Sequence, residues 1–391
     1  MEKIKFYVFG EVGEYDEYNP YNILSKENVA EIIYLIAINE PYSLDKSIIK
    51  NKLNIDSNEL SNIIHSLNLI NAIDTENDTY KLNFPIFLEK DIEALDLKLN
   101  EVGMEICSKI VRLKDSIVSK LNEYESFDYK RSLYHIICDN IFDGIAMNFF
   151  ADRNVFSISK EQPGDRNYII VGYENTHKLE SYSNNLLCSS NNYRTKDFIF
   201  NSFGDCNGDR KDVYRFFRQV DKTNNGISKF ENLNSSYNRL NEHMNRSIMN
   251  DCGNLIIKVS KGFNDYRNYE EYDRELFEFL KNINYINIDD KYKISIKVPI
   301  FDKNHKTVVN EISEIILPNI EDIVKCFFSN IELNSKDITS IKHKVDIKEI
   351  SNELWHQVFG VTNEHLVKCG FVEEPYSNLI EGRYLQSFYI K

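Results

Sequence analysis

The stretch LNLINAIDTENDTYKLNFPIF, residues 67–87, joins the end of a helix to two short alternating runs and a closing Pro-Ile-Phe. Its polar centre, Glu76-Asn77-Asp78, has the composition of a hairpin turn, and the flanking runs alternate as strands do. The phrase NINYINIDDKYKISIKVPIF, residues 282–301, repeats this succession far along the chain. The sequence therefore predicts two helix-plus-hairpin modules, the second of them degenerate because no clean pair of helices precedes it.

Three amphipathic helices are predicted before the first hairpin. Their apolar residues recur at helical spacing: Val29, Ile32, Ile33 and Ile36, then Leu44, Ile48, Ile49 and Leu53, then Leu60, Ile63, Ile64 and Leu67. Ser43 is the expected N-cap of the second helix, and Asp56 or Ser57 that of the third. The third helix then presents a polar face of Asn58, Ser61, Asn62 and His65.

Three helices and a hairpin within residues 26–90 resemble the winged helix-turn-helix regulators of the MarR-like and ArsR-like kind. The resemblance rests on the pattern of elements and covers only this part of the chain. In such regulators the third helix enters the major groove, while cations on the preceding helix and the wing hold phosphates. The resemblance implies that Asn58, Ser61, Asn62 and His65 contact bases and that Lys46, Lys50, Lys52 and Lys81 contact phosphates.

The charge of this region favours a second interpretation. Residues 26–90 hold six lysines against ten acids, a net charge of -4, and the third helix contains no Arg or Lys. The whole chain has a net charge of -14. An acidic chain repels a phosphate backbone unless its cations gather on one face. A module that binds protein is therefore the alternative to one that binds DNA.

The predicted fold is α+β, divided into consecutive segments. These are an N-terminal arm (1–25), a winged helix-turn-helix (26–92), a linker or dimerisation helix (93–126), a central α+β sensor domain (127–262) and a C-terminal winged-helix-like domain (263–391). The linker helix carries an apolar stripe of Leu95, Leu99, Val102, Ile106, Ile110, Leu113, Ile117 and Leu121. Such a stripe suits either a dimer contact or a helix that spans two domains.

The densest basic cluster lies in the predicted sensor domain. Lys211, Arg215, Arg218 and Lys222 fall on one face of a helix at i, i+4, i+7 and i+11. This stripe could bind an anion or a charged ligand. The alternative is a solvated face balanced by Asp209, Asp212 and Asp221.

Other kinds of chemistry find little support in the sequence. No nucleophile elbow, P-loop, zinc-protease or dinucleotide motif occurs, so an enzyme in the central region is the third hypothesis and no catalytic residue is predicted. No metal site and no cofactor are expected. The chain lacks a run of about 20 apolar residues, and its charged N-terminus does not fit a signal peptide, which predicts a cytoplasmic protein without a membrane partner.

The leading hypothesis is a DNA-binding transcriptional regulator. Its expected partners are double-stranded DNA, a small-molecule effector sensed by the central region, and a second copy in a homodimer. Effector binding would change the spacing of two recognition helices. The second hypothesis is an acidic winged-helix adaptor that binds proteins and not DNA.

Overall fold

The computed structural model describes residues 3–122, 128–207, 210, 248–378 and 381–391. Helices and strands are both abundant, so the predicted α+β class is confirmed.

The helices are α1 (Pro20–Leu24), α2 (Val29–Ile38), α3 (Lys46–Leu53), α4 (Ser57–Leu69), α5 (Glu89–Arg112), α6 (Lys114–Leu121), α7 (Tyr129–Leu133), α8 (Ala146–Asp152), α9 (His177–Asn185), α10 (Ile248–Ser260), α11 (Glu271–Asn282), α12 (Lys303–Asn334), α13 (Thr339–Lys342) and α14 (Ile347–Lys368). A π-helix, Tyr134–Ile145, joins α7 to α8, and a 3-10 turn, Tyr266–Asn268, precedes α11. The strands are β1 (Ile4–Glu11), β2 (Ile73–Glu76), β3 (Thr79–Leu82), β4 (Ile86–Phe87), β5 (Glu161–Gln162), β6 (Arg166–Glu174), β7 (Ser189–Arg194), β8 (Phe198–Gly204), β9 (Ile286–Ile288), β10 (Ile294–Ile296), β11 (Ile300–Phe301), β12 (Tyr376–Asn378) and β13 (Gly382–Ile390).

Two compact units make up the chain, and each draws on three separate stretches of sequence. Unit 1 contains Met1–Lys109, Gly144–Asn184 and Leu317–Thr362, and unit 2 contains Ile110–Asp143, Asn185–Ile316 and Asn363–Lys391. The units therefore interleave along the sequence, whereas the sequence pattern predicts consecutive segments. Local periodicity shows where a helix or strand lies, but it carries no information about which distant segment packs against it.

Unit 1 is built on a sheet in which β6 is central. β1 pairs antiparallel with β6, β5 also pairs antiparallel with it, and β4 pairs parallel with it at Ile86–Gly172 and Phe87–Tyr173. Helices α2, α3 and α4 share a core with one face of this sheet, where Ile33, Leu67 and Tyr168 are fully buried. The hairpin of β2 and β3 closes this helical group, as the sequence predicts.

Unit 2 repeats this plan. β8 pairs antiparallel with β13, β12 pairs antiparallel with β13, and β11 pairs parallel with β13 at Ile300–Phe388 and Phe301–Tyr389. Helices α10 and α11 and the β9–β10 hairpin share a core with Phe198, Phe200 and Phe388 of the sheet. Between α10 and α11 only the 3-10 turn occupies the place that α3 has between α2 and α4 in unit 1. This difference accounts for the irregular sequence before the second hairpin.

The two Pro-Ile-Phe phrases have the same role in the two units. Pro85 accepts a backbone hydrogen bond from Gly172 at 2.9 Å, and Pro299 accepts one from Phe388 at 2.9 Å. Phe87 then stacks on Tyr173 with ring centroids 5.3 Å apart, and Phe301 stacks on Tyr389 at 4.9 Å. Each phrase thus forms a short parallel strand that places a phenylalanine on a tyrosine of the central strand.

The long apolar stripe after the first hairpin is covered within the chain. It lies on α5 and α6, and Leu95, Leu99, Ile106, Ile110 and Ile117 are all fully buried. These side chains serve the core of the chain itself, so they are not available as a dimer surface. Among the described residues, no helix is both long enough and apolar enough to cross a membrane.

Candidate nucleic-acid interface

The outer face of α4 carries the polar side chains that the sequence pattern singles out. Leu60, Ile63, Ile64 and Leu67 are at most 5% exposed, which fixes the direction of the opposite face. Asn58, Ser61, Asn62 and His65 are all exposed on it. These amide, hydroxyl and imidazole groups can donate and accept hydrogen bonds.

Capping carboxylates hold α3 and α4 in place. Asp56 accepts hydrogen bonds from the backbone N–H groups of Asn58 at 2.8 Å and Glu59 at 3.4 Å, so it is the N-cap of α4 as expected. These bonds lower the pKa of the Asp56 carboxyl, the bond from Asn58 contributing most. Asp45 caps α3 by accepting from the N–H of Ile48 at 2.8 Å, which corrects the prediction of Ser43 in that role.

Two of the predicted phosphate-binding lysines lie in the last turn of α3. Lys50 and Lys52 are both exposed. Lys50 donates to the Ser57 hydroxyl at 2.6 Å, which brings its ammonium group to the first residue of α4. Cations at this position adjoin the polar face of α4.

The other two predicted lysines are paired with acids of the hairpin. Lys46 lies 3.9 Å from Asp78, and Lys81 lies 3.6 Å from Asp74. The Tyr42 hydroxyl also donates to Asp74, at 2.7 Å. Burial of the phenol is the larger cause, and this bond the second, of a rise in the pKa of Tyr42 to about 12. The hairpin end of the surface is therefore slightly acidic rather than basic, because Asp74, Glu76 and Asp78 outnumber the two lysines.

Two residues outside the predicted set reach the same face from the turn that precedes α2. Lys26 donates to the Ser66 hydroxyl at 3.1 Å, and Asn28 donates to the Glu59 carboxylate at 2.9 Å. Asn28 adopts a left-handed backbone conformation with φ of 66° at the N-cap of α2. No sequence signal links these residues to α4, because the contacts join positions more than 30 residues apart.

The corresponding helix of unit 2 has a different character. α11 carries Glu271, Asp273, Glu275 and Glu278 against Arg274 and Lys281. An acidic face of this kind repels phosphate. The two modules therefore share a plan but not a surface.

The predicted anion site, Lys211, Arg215, Arg218 and Lys222, lies outside the described residues. The preceding cation, Arg210, is described and is fully buried. It donates to the Ser202 hydroxyl at 3.1 Å and to the Ser189 carbonyl at 3.2 Å. Arg210 thus ties β7 and β8 together.

A buried polar network lies between the π-helix and the sheet of unit 2. Asn201 donates to Asp139 at 2.8 Å and to the Ser387 hydroxyl at 2.9 Å, and Ser387 lies 3.3 Å from His135 Nδ1. Burial raises the pKa of Asp139 to about 6 and lowers that of His135 to about 3. His135 and Ser387 are completely enclosed, so the network joins the helix to β8 and β13 and offers no access to a substrate.

Two cavities provide space for small ligands within single units. In unit 1 a cavity of about 490 Å³ is lined by Val102 and Glu105 of α5 and by Cys326 and Phe327 of α12. In unit 2 a cavity of about 420 Å³ is lined by residues that include Arg131, Lys297, Glu373, Tyr384 and Gln386. Of the described residues that line the second cavity, Arg131 alone belongs to the predicted sensor domain, 127–262. The described residues contain no cluster of three side chains suited to hold a metal ion.

In comparisons with known proteins, no protein-family model matches the chain, and neither the curated proteins nor the solved structures contain a significant match.

Proposed function

We propose that unit 1 contains a winged helix that binds double-stranded DNA in a sequence-specific manner, and that the protein acts as a transcriptional regulator. The observation that carries the proposal is the exposed row of Asn58, Ser61, Asn62 and His65 on α4. The ammonium group of Lys50 adjoins this row, because it is hydrogen-bonded to the first residue of α4. Amides can form paired hydrogen bonds with adenine in the major groove, and lysines can bind phosphate.

The proposed division of labour follows from this arrangement. α4 would lie in the major groove and read base edges with Asn58 and Asn62. Lys50 and Lys52, with Lys26 in the turn before α2, would hold the phosphate backbone of the DNA. Lys46 of α3 and Lys81 of the hairpin would contribute less, because each already has a carboxylate within 4 Å.

Fluorescence polarisation of the full chain with duplexes from its own upstream region tests the proposal. Lys50→Glu should weaken binding at low salt by about tenfold or more and make the salt dependence shallower by about one unit of slope. Asn62→Ala should cost about 1–3 kcal/mol on the preferred duplex and little on an unrelated one.

The second unit supplies matched controls. Lys281→Glu changes the net charge by the same amount on α11, and Asn282→Ala removes an exposed amide at the end of that helix. Both controls should retain full DNA affinity. Equal losses in Lys50→Glu and Lys281→Glu would mean that only overall charge matters and would reject the assignment of α4.

A protein-binding adaptor is the second candidate, and the Lys46–Asp78 and Lys81–Asp74 pairs favour it. Pairing of Lys46 and Lys81 with carboxylates of the hairpin reduces the attraction for phosphate while leaving α4 exposed. Under this proposal the chain would show no affinity for any duplex even at low salt. Asn62→Ala would instead weaken the capture of a protein partner, whereas Asn282→Ala would not.

A further inference from the structure

The outer edge of β1 has backbone groups turned away from its own sheet. The N–H of Gly172 bonds to Pro85 and that of Tyr168 to Lys160, so the even-numbered residues of β6 face away from β1. The odd-numbered residues of β6 therefore bond to their partners on β1, Tyr7 and Phe9 among them. It follows that the N–H and C=O groups of Phe6, Val8 and Gly10 point outward, and no strand of the described residues pairs with them.

The counterpart of this edge in unit 2 is occupied. β8 corresponds to β1. Gly10 of β1 pairs with Tyr168 of the central strand in unit 1, and Gly204 of β8 pairs with Tyr384 of the central strand in unit 2, at the same place in the sheet. The outer edge of β8 accepts β7, which pairs antiparallel with it from Ser189–Gly204 to Arg194–Ile199. The edge strand of unit 2 therefore pairs with an additional antiparallel strand. Among the described residues of unit 1, no such strand pairs with β1.

The side chains along β1 are unusually apolar for an edge. Tyr7 is 46% exposed and Phe9 is 49% exposed, whereas Phe203, the counterpart of Phe9, is fully buried. Long edge strands with exposed apolar side chains favour pairing with another chain. The Tyr21 hydroxyl donates to the Val8 carbonyl at 3.3 Å, and it would turn away when a strand adds to this edge.

The sequence of β1 is complementary to itself in an antiparallel register. With Val8 opposite Val8 on a two-fold axis, the outward-facing Phe6 lies opposite Gly10 and completes the backbone ladder. The same register places Lys5, which also pairs with Glu180 of its own chain at 3.0 Å, opposite Glu11, and Tyr7 opposite Phe9. Opposite charges and aromatic pairs are favourable directly across a strand pair, and the two-fold axis produces each of them twice.

We propose that β1 pairs antiparallel with β1 of a second copy of this chain, joining two unit 1 sheets edge to edge into one continuous sheet. The occupant is a second copy because both the charge pair and the aromatic pair are satisfied by the strand's own sequence. The interface is independent of the DNA-binding proposal, since it uses no residue of α3 or α4.

Sedimentation velocity of the full chain over a range of concentrations, without DNA, tests the pairing. The unchanged protein should form a dimer, and Glu11→Lys should raise its dissociation constant roughly tenfold because it converts two attractions with Lys5 into two repulsions. Lys5→Glu/Glu11→Lys restores the opposite charges in reversed order and should recover the dimer. Glu161→Lys makes the same charge change on β5 of the same sheet and should leave the dimer intact.

Amide hydrogen exchange locates the interface. Raising the concentration should slow exchange at the N–H groups of Phe6, Val8 and Gly10, while those of Tyr7 and Phe9 are already protected by β6. A monomer at all concentrations would overturn the proposal. So would a dimer that is insensitive to Glu11→Lys, or one that leaves the exchange of Val8 unchanged.

Discussion

At Gly204 a single methyl group would collide with the backbone of the neighbouring strand. A Cβ there would overlap the carbonyl oxygen of Arg383 and the Cα of Tyr384. Backbone atoms cannot move away as the end of a flexible side chain can, so Gly204→Ala should lower the free energy of unfolding by about 1–3 kcal/mol. Gly144 is the control, because a Cβ there meets nothing within 4 Å, and Gly144→Ala should not lower it. Urea denaturation measures both, and equal losses would contradict the argument.

The buried carboxyl of Asp139 should make stability depend on pH. Burial raises its pKa to about 6, while the hydrogen bond from Asn201 opposes the shift. An unfolded Asp has a pKa of about 3.9, so between about pH 4 and 6 the folded state binds more protons from this group. The contribution of Asp139 to the free energy of unfolding therefore falls as pH rises through that window.

Asp139→Asn removes this titration and keeps an oxygen that can accept the bond from Asn201. The variant should gain stability relative to the unchanged protein as pH rises from about 4 to 6, by up to ~3 kcal/mol. His135, whose pKa is lowered to about 3, contributes the opposite slope in both proteins and cancels in the difference. Denaturation midpoints at several pH values give the result, with the exposed Asp290→Asn as control. A difference that is flat across the window would exclude the buried carboxyl as its source.

At the scale of single elements, the cap of α4 links stability to the proposed binding face. Asp56→Ala leaves the backbone N–H groups of Asn58 and Glu59 without their carboxylate and should lower the melting temperature measurably. Asp56→Asn keeps an acceptor and should lower it by less than half as much. Thermal denaturation followed by circular dichroism distinguishes them, and equal losses would mean that the cap contributes through charge rather than through hydrogen bonding.

Local sequence patterns anticipate most elements of unit 1 but not their partners. The apolar spacing predicts α2, α3 and α4, and the orientation of α4 follows, because Leu60 and Ile63 can be buried in only one way. The predicted arm, 1–25, contains β1, whose partner β6 lies more than 150 residues away. The same limit applies to the site: the Lys46–Asp78 pair and the bond from Lys26 to Ser66 depend on tertiary contacts that no periodicity encodes.

At the scale of the whole molecule, interleaving means that no single cut releases unit 1. The fragment 1–184 retains β1 and β6 but lacks Leu317–Thr362. That segment supplies Trp355, whose ring lies 5.0 Å from Phe150, and Glu353, which accepts a 2.6 Å hydrogen bond from Tyr173. Without this segment, the ring of Phe150 loses its contact with Trp355 and becomes exposed.

Fragment 1–184 should therefore expose apolar surface and lack a cooperative unfolding transition. Binding of a hydrophobic dye and a heat-denaturation profile measure these two properties. Co-expression with fragment 185–391 should restore both to the values of the intact chain. A sharp transition in fragment 1–184 alone would show that the third segment is dispensable for the fold.

The interleaving of the two units also determines when unit 1 can complete its fold during synthesis. Unit 1 begins at the N-terminus, yet its last segment ends at Thr362, so roughly 180 residues beyond Asn184 must be translated before the unit can close. At about 5–20 residues per second, this leaves the first half of the chain waiting on the order of 10–40 s at the ribosome. The apolar surface that Leu317–Thr362 later covers, including the ring of Phe150, stays exposed for that long, so the part of unit 1 that is made first is among the last to finish folding.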